Sequence, residues 1–120
     1  MGIARDDKEG RSQAVLKNLS FFGAPHAAFL FMPPFATERI AGDIGMYAQN
    51  LMLLMKGYGI DSCPQTKLGF FAQQARDVLG LSSDNRLLFG ISFGYADAES
   101  PLNKIVMPRA PLSETTRFHN

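Results

Sequence analysis

The 120 residues are predicted to form an α+β domain from three features of their apolar pattern. Two nearly unbroken apolar runs of strand length, HAAFLFM at residues 26–32 and LLFGISFGY at residues 87–95, lie far apart. Two segments between them repeat apolar residues at helical spacing. Glycine and proline mark the joints. The resulting order is strand, helix, helix, strand, after a short opening helix.

Residues 1–10 are polar and read as extended or flexible. Over residues 11–22, Val15, Leu16, Leu19 and Phe22 keep one face and predict a short amphipathic helix, ended by Gly23-Ala24-Pro25. The run 26–32, closed by Pro33-Pro34, suits a strand buried on both faces. Thr37 can cap the next helix through its hydroxyl, with Glu38 near the positive end of the dipole. Ile40, Ile44, Tyr47, Leu51, Leu54 and Tyr58 mark one face of that helix, and Ala41, Gly45, Ala48 and Met52 an adjacent one. Gly42 and Gly45 each cost about 1 kcal/mol against alanine, which predicts close packing on another backbone there. Gly57 and Gly59 stop the helix.

A loop over residues 61–67 then leads to a helix marked by Leu68, Phe71, Ala72, Ala75, Val78 and Leu79, with Gly80 as its stop. Ser82-Ser83-Asp84-Asn85 is a turn. In the second strand, glycines mark places where another group approaches the backbone. From Ala96 the chain is a polar tail with prolines, and residues 112–120 are expected to be extended or flexible.

Composition narrows the function classes. Twelve basic and eleven acidic residues leave a net charge of +1, so nothing points to nucleic acid or to an anionic membrane surface. Cys63 is the single cysteine, which excludes an intrachain disulfide and suits a reducing, cytoplasmic setting. No run approaches the ~20 apolar residues of a membrane span, and the opening MGIARDDKEGR has no apolar signal core.

Catalytic constellations are weak. Cys63 precedes a proline and has no neighbouring histidine, so it reads as a small buried residue rather than a nucleophile. His26 opens a strand and reads as structural; Asp43 and Asp61 flank the long helix and read as capping or surface groups. Met46, Met52 and Met55 read as core. GISFG does not match GxGxxG, and no P-loop is present. What remains is SCPQTK, where a loop entering a helix offers free N–H groups, and Arg109, whose guanidinium offers a bidentate fork for an anion.

Four pieces then occur together and in order: GDIGMYAQNLML, SCPQ, FGISFGYAD and MPRAPLSE. With them the chain resembles the flavin-dependent nitroreductase family. The resemblance implies an FMN-binding α+β fold with a central mixed or antiparallel sheet flanked by helices. It also implies hydride transfer from NAD(P)H through the flavin to nitroaromatics, quinones or similar acceptors, with FMN held at the interface of a homodimer. In that family the loop after the central helix lies against the flavin ring, which maps to Pro64, Gln65, Thr66 and Lys67. A basic residue ahead of a proline near the C-terminus holds the phosphate, which maps to Arg109. A second basic residue two positions earlier is Met107 here, so that contact is lost or passes to Lys104. The family's opening helix, its Arg-Arg-Ser-like site and its Pro-Ser-x-x-x-Gln-Pro segment do not occur. The expectation is therefore a single domain over residues 1–120, truncated at its N-terminus, that acts as a homodimer or beside a complementary chain. The alternative is a non-catalytic remnant or partner-dependent fragment lacking a complete flavin site.

Overall fold

The computed structural model describes residues 3–119. Helix α1 spans Lys8–Leu16, earlier than the periodicity suggested, because Asp7 caps it: its Oδ1 accepts the Gly10 N–H at 2.8 Å. Residues 8–10 are therefore helical rather than extended. The helix also stops before the expected residue 22. Beyond it lies a 3-10 turn, Phe21–Gly23, in which Phe21 (φ 53°), Phe22 (φ 55°) and Gly23 (φ 82°) all adopt left-handed backbone. Such a conformation costs a bulky residue about 1–3 kcal/mol. The offsetting contacts are a hydrogen bond from Phe22 N–H to the Lys17 carbonyl at 2.9 Å and the edge-on packing of Phe21 against Phe29, centroids 6.0 Å apart.

Three strands follow, β1 at His26–Met32, β2 at Asp61–Gln65 and β3 at Arg86–Gly94. They form one sheet in the order β1-β3-β2, antiparallel at both pairings. Phe29 and Gln65 both sit opposite Gly90, and Ala28 and Pro64 both sit opposite Ile91. Two expectations are corrected here. The loop expected at 61–67 is in its first part a strand, and Pro64 is tolerated there because β2 is an edge that need not donate from every residue. The run 26–32 is also an edge strand, with only Leu30 buried, so the doubly buried strand is β3 alone.

Helix α2, Glu38–Gly57, covers one face of the sheet. Leu30, Ala48 and Ile91 form its buried centre, with Ile44, Leu51, Met52 and Phe89 packed around them. The core stripe thus runs between the two faces the spacing suggested. Tyr47, Leu54, Tyr58 and Met46 are exposed. Thr37 occupies the N-cap position without a side-chain hydrogen bond. Among the described residues a Cβ at Gly42 or Gly45 would meet nothing within 4 Å, so the expected close packing does not occur there.

The opposite face carries a 3-10 helix, Thr66–Phe71, that runs into α3, Ala72–Leu79, and stops at Gly80 with φ 65°. Leu68 plugs down onto Gly90, where an added Cβ would lie 2.5 Å from Leu68 Cδ1. Gly94 is similarly close to Pro25, at 2.7 Å. The strand glycines are thus points of close approach, as expected. The tail contains one helical turn, α4 at Leu112–Thr115, within the stretch expected to be extended.

Among the described residues no helix is long and apolar enough to cross a membrane. The chain is spread out for its length: its radius of gyration is 17.2 Å, against about 14 Å for a compact domain of this size. It exposes 9441 Å², against about 6,400 Å² expected of a folded monomer of its mass.

Candidate functional site

The site is a corner built where α2, β2 and β3 meet. Gly59, with φ 75°, turns the chain out of α2. Lys56 Nζ then meets Asp61 Oδ1 at 2.6 Å, and Asp61 Oδ2 accepts the Ala96 N–H at 3.4 Å. The end of α2, the start of β2 and the exit of β3 are thereby tied to one carboxylate. The Lys56 hydrogen bond, helped by the one from Ala96, holds the Asp61 carboxyl below its ordinary range.

From that knot β2 runs as an exposed edge to Gln65, which is buried at 3% exposure. Gln65 Nε2 donates to the Asn18 main-chain carbonyl at 3.2 Å and lies 3.4 Å from Asn18 Oδ1. Gln65 Oε1 is buried with no partner among the described residues. Pro64, Thr66 and Lys67 flank it on the surface, and no side chain caps the start of the 3-10 helix. Lys67 Nζ sits 5.1 Å from the centre of the Phe70 ring.

The basic residues of the tail stand apart from this corner. Arg109 is exposed, and its guanidinium makes one long contact, Nη1 to the Met107 carbonyl at 3.5 Å. Lys104 is held by Glu99 at 3.1 Å. A cleft of about 630 Å³ beside β2 is lined by Asp61, Ser62, Cys63, Phe93 and Tyr95 among others, but not by Pro64–Lys67, Lys104 or Arg109. This single chain therefore does not gather the sequence-predicted residues into one cavity.

Cys63 is exposed, not buried as expected, because its strand is an edge. Desolvation of its sulfur in the cleft raises the thiol above its ordinary pKa, the opposite of what a nucleophile requires. His26 stacks on Phe93, centroids 5.4 Å apart and planes 26° from parallel, which fits a structural role. Asn18 and the Lys56–Asp61 pair escaped the sequence reading. The Asp61 pair could have been found from its position just past a helix stop, but nothing local to Asn18 announces a contact with Gln65.

The model of the nitroreductase family matches residues 3–95. The chain belongs to the nitroreductase family. Among curated nitroreductases, NfnB of Mycolicibacterium smegmatis is 52% identical over 118 residues, covering 98% of this chain and 50% of that protein. The 4-nitrobenzoate reductase of Pseudomonas putida is 31% identical over 116 residues, covering 97% of this chain and 51% of that one. A solved structure of the FMN-dependent NfnB from Mycobacterium smegmatis in complex with NADPH superposes with a TM-score of 0.96 at 51% identity, covering 99% of this chain and 53% of that one. The FMN- and NADPH-dependent NfnB of a Sphingopyxis strain gives a TM-score of 0.95 at 38% identity. This nitroreductase chain thus spans about half the length of the curated relatives it matches. The family-model match ends at residue 95, so Lys104 and Arg109 lie in the tail beyond it.

Proposed function

We propose that this chain supplies one part of an FMN site in an NADPH-dependent oxidoreductase that reduces nitroaromatics, quinones or similar acceptors. The observation that carries the reading is the likeness, over 99% of the chain, to an FMN-dependent nitroreductase solved with NADPH. FMN, when bound, supplies the two-electron chemistry, taking hydride from the nicotinamide and passing reducing equivalents to the acceptor. The chain's own residues bind and orient. Thr66 and Lys67 present main-chain N–H groups at an uncapped, exposed turn, suited to the electron-rich edge of the ring. Gln65 lies buried behind them and supports the turn from inside the sheet. The donor set therefore fits the group.

Arg109 is the phosphate ligand in this reading, since its guanidinium is nearly uncommitted and its fork matches two phosphate oxygens. Lys104 is secondary, because Glu99 already neutralises it and would set a carboxylate beside the phosphate. A second copy of the chain, or a complementary chain, completes the site. The area of about 3,000 Å² exposed beyond the monomer expectation supports that partner, being on the scale of an obligate interface. The reading places the protein in the cytoplasm.

The same excess surface favours one competing reading, a partner-dependent fragment with no complete flavin site. Absorbance and light scattering on the purified chain separate the two. A yellow dimer with near-stoichiometric FMN that oxidises NADPH when a nitroaromatic is added supports the flavin reading. A colourless chain that fails to quench FMN fluorescence on titration rejects it and leaves the fragment.

A further inference from the structure

Gln65 is an unusual choice for its position. It lies in register with Gly90, on the sheet face that also carries Leu68, and it is buried. A leucine or methionine would fill that space with no desolvation cost, whereas the amide leaves one buried oxygen unpaired. A buried amide of this kind gives directional definition that an apolar side chain cannot. Both hydrogen-bond partners of its Nε2 belong to Asn18, which is far away in sequence and precedes the opposite edge strand.

Asn18 is itself held in place. Its Nδ2 donates to the Val15 carbonyl at 3.0 Å and its main-chain N–H to the same oxygen at 3.1 Å. Immediately after it the chain enters the left-handed Phe21-Phe22-Gly23 turn, anchored by Phe21 on Phe29 of β1. A rigid, strained connection before β1 therefore aims two oxygens of one residue at the amide that ends β2. The next residues along the chain are Thr66 and Lys67.

We propose that Asn18 is a positioning residue: through Gln65 it fixes the Gln65–Lys67 corner, so that the Thr66 and Lys67 main-chain N–H groups are held ready for the flavin ring. The destination of those N–H groups rests on the proposed flavin function; the fixing of the corner does not. Asn18 itself contacts no cofactor in this account.

The test uses the full chain and backbone ¹⁵N relaxation without cofactor. Asn18→Leu keeps the side-chain volume and removes the Oδ1 acceptor while leaving the main-chain carbonyl, Asn18→Asp keeps a side-chain oxygen acceptor, and Gln65→Met removes the donor and with it both contacts. In Gln65→Met the order parameters of Thr66 and Lys67 should fall from about 0.85 to below about 0.6, in Asn18→Leu they should fall part of that way because the main-chain contact remains, and Asn18→Asp should stay near the unsubstituted chain. Those of Leu87 and Ile91 in β3 should not move. Unchanged values at Thr66 and Lys67 overturn the proposal, and so does an equal fall throughout β3, which would mark general loosening. A parallel FMN titration should show about tenfold weaker binding in Asn18→Leu, the equivalent of re-ordering roughly one residue's backbone. If the unsubstituted chain does not bind FMN, the flavin reading fails, and the relaxation contrast alone decides the role of Asn18.

Discussion

Gly90→Ala should destabilise the fold and disturb the candidate corner together. The glycine lies in central β3, and the added methyl would sit 2.5 Å from Leu68 Cδ1 and 3.3 Å from the Ala28 carbonyl oxygen. Ordinary carbon–carbon contact is about 3.5–4.0 Å, so Leu68 must retreat by roughly 1 Å. It has little room, since Leu68 is buried and the neighbouring Gly69 already hugs β3, its own Cβ position being 3.1 Å from the Leu88 carbonyl oxygen. Overpacking of this kind costs about 1–3 kcal/mol. Against it stands a gain of about 0.4–1 kcal/mol from stiffening the unfolded chain. The clash wins, with a net loss of about 0.5–2 kcal/mol measurable as a lowered denaturant midpoint. Leu68→Ala alone should cost about 2–5 kcal/mol, yet combined with Gly90→Ala it should cost less than the sum, because the alanine methyl then occupies vacated space. An unmoved midpoint, or single effects that add within about 0.5 kcal/mol, would refute the packing of Leu68 on Gly90.

Arg109→Ala should weaken FMN binding about tenfold or more, since charge-assisted hydrogen bonds are worth about 1.5–3 kcal/mol, and Lys104→Ala should do less because Glu99 already engages that lysine. Equal losses in the two titrations would remove Arg109 from the leading role. Asp61 has a folded-state pKa below its unfolded value, so its contribution to stability is fully present at neutral pH and is lost as pH falls through the lowered value, below about pH 4. Asp61→Asn should therefore flatten the acid limb of a stability–pH curve, and an identical acid limb in the variant would show that the Lys56 contact is not linked to folding.

The apolar runs and helix stops were legible because they depend on local chemistry. Leu87 to Gly94 is strand-like in any context, and Gly59 and Gly80 turn the chain out of helices with positive-φ backbone, whereas Gly57 is the last residue of α2 itself. Features set by distant partners were not legible. The segment DSCPQ has no residue with strong strand propensity, and it is a strand because β3 has an open edge at that point. Phe21 and Phe22 belong by type in helix or strand, and packing on Phe29 together with backbone hydrogen bonds to the Lys17 and Asn18 carbonyls holds them left-handed. The corner's residues carry the family resemblance, whereas its tie to Asn18 spans 47 residues of sequence and leaves no local signal.

The exposed apolar surface of α2 carries the argument one step further. The sequence spacing marked Tyr47, Leu54 and Tyr58 as core-facing, and within this chain all three face outward, Tyr58 at 82% exposure. Helical periodicity reports which residues are apolar, and an amphipathic helix in a finished fold keeps its wide apolar stripe covered. The mismatch is therefore one of coverage, since one side of α2 meets the sheet and, among the described residues, nothing meets the rest. Gly42 and Gly45 repeat the pattern, being costly in a helix and yet open to space. Glycines kept at that cost make sense where a second backbone comes close. The curated relative it matches at 52% identity is about twice as long, and the excess exposed area is on the scale of an interface. Substituting alanine at Gly42 and Gly45 would thus favour the isolated helix and obstruct whatever packs against it.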